Sequence, residues 1–297
     1  EKTPLTAILL TELLYEAGLP HYMLSTLLGP TKEIAEPLVK DPRVDIVSFT
    51  GSVAVGKHIA SSVGYKKVIL ELGGNDPLII MEDADMDTAV HLAAEGSFRN
   101  SGQRCTAVKR ILIHEKIKDA FLEKFLEKAK TYTCGDPADP ETKVGTVIDE
   151  PAAIYLESVV NKAVEQGAKV LLGGKRNGAL LEPTVIDNVP RNAQMIVQES
   201  FGPLAPILTF KDIDDAIALS NSTAYGLSSG IVTHNMDYAL RFIKELKVGT
   251  VNINEVPGYR IESSPFGGIK DSGLGIKEGV IEAMKCFTYV KTFSLPW

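Results

Sequence analysis

The feature that most constrains this 297-residue chain is the regular exchange of two hydrophobic periods along most of its length. Short aliphatic and β-branched runs at 44–49, 67–70, 78–81, 110–114, 170–172, 204–210, 229–232 and 249–253 read as strands. Between them, at 85–100, 117–131, 151–166, 212–221 and 236–246, apolar residues recur every three to four positions, as on one side of a helix. At the front, Thr3-Pro4 opens a stretch in which Leu5, Leu9, Leu13 and Leu10, Leu14, Ala17 form two adjoining rows before Gly18 and Pro20 stop it. A helix with a wide buried face is expected there. Strands joined by helices through short connections call for a parallel sheet covered on both sides, hence an α/β fold. The stretch 286–295 alternates loosely through Phe287, Tyr289, Lys291 and Phe293, and is expected as an exposed edge strand that needs a partner.

Composition narrows the function classes. Hydrophobic residues at 44% and charged residues at 23% match a folded globular chain and exclude wholesale disorder. A net charge of -7 has the wrong sign for neutralising a phosphate backbone, so nucleic acid is not an expected partner. The apolar runs fall far short of the ~18 residues of a spanning helix, and Glu1-Lys2-Thr3-Pro4 begins no secretory leader. No membrane association and a cytoplasmic location are therefore expected. Cys105, Cys134 and Cys286 are too few, too far apart and odd in number for a disulfide framework, and read as free thiols. The five histidines show no metal-ligand spacing. The acidic cluster Glu82, Asp83, Asp85, Asp87 lacks the glycine and terminal glutamate of a calcium loop and reads as the first turn of a helix. No metal is expected.

Three places carry candidate chemistry. The turn 50–52 between a strand and the helical VAVGKHIASSVG would present backbone N–H groups and a helix dipole to an anion such as a dinucleotide pyrophosphate, although any α/β repeat contains such a turn. Glu71 ends a strand ahead of Gly73-Gly74, which places its carboxylate at the carboxyl edge of a sheet; a solvated strand-end glutamate reads the same way. Cys105 lies in FRNSGQRCTAVKR, a polar and basic segment where Arg104, Lys109 and Arg110 would favour a thiolate, unlike a cysteine packed in an apolar helix.

Taken in order, LELGGNDP at 70–77, FRNSGQRCTAVKR at 98–110, QESFGP at 198–203, NSTAYGLSSGI at 221–231, GTVNIN at 249–254 and PFGGIKDSGLG at 265–275 resemble the aldehyde dehydrogenase superfamily. Within it they look closest to the branch of phosphonoacetaldehyde dehydrogenase and the non-phosphorylating glyceraldehyde-3-phosphate dehydrogenases. The resemblance covers the chain and implies a partial Rossmann-like NAD-binding domain followed by a second α/β catalytic domain. The divisions implied are 1–72, the C-terminal half of the NAD-binding domain; 73–271, the catalytic domain; and 272–297, a C-terminal segment with an oligomerisation strand.

Carried over residue by residue, the resemblance makes Cys105 the nucleophile that passes from thiohemiacetal to thioester. It makes Glu71 the general base that activates water, which favours release of a free acid over transfer to coenzyme A. Gly51 and Ser52 match pyrophosphate contacts, Val55 and Leu72 further parts of the cofactor site, Glu199 the residue at the nicotinamide ribose, and Phe201 the wall beside it. Glu1 falls where a carboxylate accepts adenosine ribose hydroxyls and repels a 2′-phosphate, so NAD is expected over NADP. Arg104 and Arg260 match positions that bind an anionic substrate, and a guanidinium fork suits a phosphonate or phosphate.

The expected reaction is NAD-dependent oxidation of a small anionic aldehyde, phosphonoacetaldehyde favoured, with glyceraldehyde 3-phosphate or lactaldehyde as alternatives. A homodimer or homotetramer is expected. The family also carries an upstream segment with the first strands of the nucleotide domain and an oxyanion-hole asparagine, which these 297 residues do not contain. Losing one oxyanion donor costs about 10²–10³ in turnover. The sequence is therefore expected to be a piece of a longer enzyme, or else an impaired or non-catalytic chain of the same fold.

Overall fold

The structure, a computed structural model, describes residues 2–296. These divide into two compact units, one of 2–49 with 54–69 and the other of 50–53 with 70–296.

The smaller unit holds helices α1 (Leu5–Glu16) and α2 (Thr31–Lys40), most of strand β1 (Ile46–Gly51), most of helix α3 (Val53–Ser62) and the start of strand β2 (Lys67–Leu72). Strands β1 and β2 pair with each other in a two-stranded sheet. Its core is small: Val39, Ile59 and Val63, with Val47, Phe49 and Val68 against them. The N-terminal helix forms where its spacing predicts, but the wide buried face does not: none of its residues is buried, and Leu5 is 70% exposed. An apolar row is buried only when another element lies on it, and no described residue supplies that cover.

The larger unit is built on β3 (Pro77–Ile80), α4 (Met86–Phe98), β4 (Arg110–His114), α5 (Lys118–Lys130), α6 (Glu150–Glu165), β5 (Lys169–Leu172), the two-residue pair β6 (Arg176–Asn177) and β7 (Leu180–Leu181), and β8 (Thr184–Asp187). It continues through α7 (Gln194–Val197), β9 (Leu204–Phe210), α8 (Ile213–Asn221), β10 (Ser228–Val232), α9 (Met236–Glu245), β11 (Thr250–Ile253) and α10 (Val280–Cys286). Seven strands form one sheet in the order β11-β10-β3-β4-β9-β8-β5. Every neighbouring pair is parallel except β5 with β8.

The central strands are apolar on both faces because both faces are covered. Leu78, Ile80, Ile111, Ile113 and Ile207 point to one core with Phe98, Phe121 and Phe125 of α4 and α5. Ile79, Leu112, Leu208 and Ile231 point to the other, with α6, α8 and α9. Asp85 caps α4 by accepting from the Thr88 N–H at 2.8 Å, the helix start read from the acidic cluster.

The strand expected at 286–295 is not formed: α10 runs to Cys286 and no described residue beyond it is in a strand. A strand is stable only when its N–H and C=O groups meet a second strand. Here Tyr289, Val290 and Phe293 stand exposed instead. Among the described residues no helix is long and apolar enough to cross a membrane.

Candidate active site

Four segments of the larger unit line one cavity of about 430 Å³: Thr50, Gly51 and Ser52; Glu71, Leu72 and Gly73; Gln103, Arg104 and Cys105; and Glu199 with Phe201. Strands β1 and β2 deliver the first two at their carboxyl ends, while the cysteine segment precedes β4 and the last precedes β9.

The cysteine is presented by an unusual turn. Asn100, Ser101 and Gly102 follow α4 with φ of 55°, 53° and 68°, three consecutive left-handed residues. Asparagine tolerates that region and glycine enters it freely, whereas a serine there is strained. Side chains hold the turn: Ser101 Oγ donates to the Gly145 carbonyl at 2.9 Å, and Gln103 Oε1 accepts from the Ile148 N–H at 2.8 Å. A Cβ on Gly102 would fall onto the Gly202 carbonyl, so its absence lets the cysteine turn lie directly against the segment carrying Phe201.

Glu71 is 6% exposed, and both of its carboxylate oxygens are buried without a hydrogen-bond partner. Burial pushes its pKa up to about 8, with the Glu278 charge adding to the rise and Lys277 and Arg260 opposing it. An unpartnered buried carboxyl is costly to ionise, which leaves it a proton acceptor close to neutrality. Lys277 is itself anchored, donating to the carbonyls of Gly249 at 2.8 Å and Gly267 at 2.5 Å.

The Cys105 thiol is half-buried and free. The basic surroundings do not make it a ready thiolate, as the sequence suggests they should. Burial pushes the thiol up, Lys109 opposes that, and Asp76 and Glu199 add to it. The arginines are turned elsewhere: Arg104 Nη2 donates to the Glu95 and Gly96 carbonyls at 3.3 and 3.0 Å. The fully buried Arg110 donates to the carbonyls of Asn75, Leu219 and Ser220.

On the opposite wall Glu199 Oε1 accepts from the Gly74 N–H at 3.3 Å and lies 3.2 Å from Lys109 Nζ. Its carboxylate occupies the space a Cβ on Gly73 would fill. Phe201 is strained into the left-handed region at φ 57° and is 44% exposed at the cavity rim.

The structure thus brings together Gly51, Ser52, Glu71, Leu72, Arg104, Cys105, Glu199 and Phe201. Arg260 is not part of the lining; its guanidinium stacks over the Phe266 ring at 4.9 Å. Val55 lies on α3 in the other compact unit, and Glu1 lies outside the described residues. Sequence reasoning gave no role to Gly73 and Gln103, which also line the cavity, although each lies inside a motif it had singled out. It also took Lys109 only as nearby charge and passed over Asp76; the signal for Asp76 was a charged residue immediately before a wholly apolar strand, which Lys109, followed by Arg110, does not share.

A family model described as "Aldehyde dehydrogenase family" matches residues 1–293. Sulfoacetaldehyde dehydrogenase of Neptuniibacter caesariensis is 40% identical over 287 residues, covering 97% of this chain and 62% of that protein. Among solved structures, the glyceraldehyde-3-phosphate dehydrogenase GapN of Methanocaldococcus jannaschii DSM 2661, complexed with NADP, is similar with a TM-score of 0.93 and 39% identity, over 98% of this chain and 64% of that one. An NAD-dependent aldehyde dehydrogenase from Sinorhizobium meliloti gives a TM-score of 0.94 and 37% identity, over 99% and 61%. The chain spans about three fifths of the length of the relatives it matches.

Proposed function

Because this chain belongs to the aldehyde dehydrogenase family, we propose that the whole protein oxidises a small anionic aldehyde to its carboxylic acid, with Cys105 as nucleophile, Glu71 as general base and a nicotinamide cofactor. The observation that carries the reading is the meeting of a free thiol and an unpartnered buried carboxyl on one cavity of about 430 Å³, brought there by separate segments.

The cofactor fits the same lining. The turn 50–52 ends β1 and offers backbone N–H groups to a pyrophosphate. Glu199 and Phe201 supply an acceptor for ribose hydroxyls and a flat wall, and Gly73 leaves room for the carboxylate. Bound there, a nicotinamide supplies the hydride acceptor. NAD is proposed over NADP on the resemblance alone, in which Glu1 matches a position whose carboxylate would repel a 2′-phosphate.

The steps this chain's residues perform follow from that lining. Cys105 Sγ, once deprotonated, adds to the aldehyde carbon and the carbonyl oxygen takes up a proton, forming a thiohemiacetal. With a nicotinamide bound to supply the hydride acceptor, loss of the C–H hydrogen as hydride and of the hydroxyl proton to solvent would leave a thioester on Cys105. Glu71 then takes a proton from water as the water oxygen adds to the thioester carbon; the C–S bond breaks, the acid leaves and the thiol is regenerated. A carboxyl titrating near 8 serves this last step because it is strong enough to pull a proton from water yet ionised in a useful fraction.

The anionic substrate rests on the resemblance at Arg104 and Arg260; Arg104 lines the cavity although its Nη2 is held by the Glu95 and Gly96 carbonyls, and Arg260 lies outside the lining. Whereas some relatives are named lactaldehyde dehydrogenases, for a neutral aldehyde, the names of others point the same way, since sulfoacetaldehyde and glyceraldehyde 3-phosphate both carry a tetrahedral oxyanion. Phosphonoacetaldehyde has that chemistry on a two-carbon frame and is our first choice; lactaldehyde, which is neutral, is the discriminating comparison. The test is reduction of NAD by the whole protein with each of these aldehydes. Turnover of the anionic ones at a kcat/KM at least about tenfold above lactaldehyde is expected, one charged hydrogen-bonded contact being worth that much. Equal rates on all would refute the anion reading. We further propose a homo-oligomer, with the exposed apolar residues at 287–295 in the interface.

A further inference from the structure

Lys109 is a charged side chain the mechanism above does not use, and it is almost completely buried at 1% exposure. Burying an ammonium is expensive unless its three donors are met. They are met at one place. Lys109 Nζ donates to the carbonyl of Cys105 at 2.6 Å and to that of Arg104 at 2.8 Å, and lies 3.2 Å from the Glu199 carboxylate.

The main chain ties Lys109 to a second buried charge. Its N–H donates to the Asp76 carbonyl at 3.0 Å, and Asp76, 1% exposed, holds one carboxylate oxygen on the Ser228 N–H at 3.2 Å and leaves the other buried and unpartnered. Neither Arg104 nor Arg110 does the same job, since their guanidinium groups are spent on carbonyls of α4, α8 and Asn75.

We propose that Lys109 is a positioning residue for Cys105: its ammonium fixes the carbonyls of the cysteine turn and supplies the positive field that stabilises the thiolate, opposed by the buried carboxyl of Asp76. This rests on Cys105 being the nucleophile. The charged groups that act on the thiol are Lys109, Asp76 and Glu199, with Arg104 next to it in the chain. Lys109 draws the thiol's titration down and the two carboxylates push it up. Burial raises Asp76 to about 7, so it is ionised over the range in which the thiol titrates and its removal must be felt there.

The test is the pH dependence of iodoacetamide alkylation at Cys105, followed by mass spectrometry of the peptide. Lys109→Met is expected to raise the alkylation midpoint by about one pH unit, the usual effect of losing a close opposite charge. Lys109→Arg, which keeps the charge, is expected to bring most of it back, and Asp76→Asn to lower the midpoint. Opposite shifts from two buried substitutions in one cluster do not arise from loosened packing. An unchanged midpoint in Lys109→Met, with Cys105 still reactive, overturns the proposal and leaves the nucleophile reading intact. Should that variant fail to fold, an unchanged midpoint in Asp76→Asn overturns it equally. Unmodified protein in which Cys105 reacts no faster than Cys134 or Cys286 removes the nucleophile reading itself, and the role of Lys109 with it.

Discussion

Glu71 owes its chemistry to the absence of partners. Its oxygens have no hydrogen-bond partner, and burial, helped by the Glu278 charge, outweighs Lys277 and Arg260 to carry it to about 8. The rate of thioester hydrolysis should therefore rise with pH through a midpoint near that value, and Glu71→Gln should abolish this limb and slow hydrolysis by about 10²–10⁴-fold, as judged by single-turnover kinetics. A limb that survives in the variant would take the base role from Glu71. Stability follows the same titration. Between the ordinary glutamate range, near 4.5, and about 8 the folded chain keeps a proton that the unfolded chain has released. The stability tied to this group is thus complete at low pH and lost as pH rises through about 8. Thermal melts should show Glu71→Gln gaining on the unmodified protein as pH rises through that midpoint; curves that run parallel would contradict the burial argument.

At the scale of elements, the strands were legible in the sequence where a continuous apolar run met a charge at its edge. The runs at 110–114 and 204–210 were read to the residue, each built on an aliphatic stretch buried on both faces. β8 was missed, being four residues between Pro183 and a proline-containing loop, and α2 was hidden by Pro37 within it. The turn at 100–102 was beyond pattern reading: only glycine announces a left-handed residue, and Asn100 joins it through a local bond to the Gln103 carbonyl and Ser101 through a tertiary one to the Gly145 carbonyl. That turn yields a stability prediction. Gly102→Ala adds an overlap with the Gly202 carbonyl to the cost of a left-handed alanine and should lose about 3 kcal/mol or more in urea unfolding. Gly178→Ala, at φ 58° with open space around it, should lose only about 1 kcal/mol. Equal losses would mean that the cysteine turn does not depend on close backbone contact.

On the scale of the molecule, the position of the site departs from the usual rule for open parallel sheets, in which ligands gather at the carboxyl ends where the strand order reverses. In the seven-stranded sheet that reversal lies between β3 and β10. Asp83 fills it, accepting from Thr233 Oγ1 at 2.8 Å and from the His234 N–H at 2.9 Å. The cavity instead takes its cysteine from the segment ahead of β4 and its glutamate from the carboxyl end of β2. Periodicity finds strands but not which end of a sheet is left open, so the motifs were legible and their meeting was not. The C-terminal residues belong to this scale too, since an edge cannot be completed from within one chain. Deleting 287–297 from the whole protein should lower its mass in light scattering to that of a smaller assembly; an unchanged mass would place the interface elsewhere.

All of these readings depend on a covalent bond forming at one sulfur. Peptide mass spectrometry of the Glu71→Gln variant, mixed with NAD and phosphonoacetaldehyde and quenched in acid, tests that directly. The account predicts a single acyl group on the peptide containing Cys105, held there because its hydrolysis has lost its base. An unmodified Cys105, or an acyl group found on Cys134 or Cys286 instead, would contradict it.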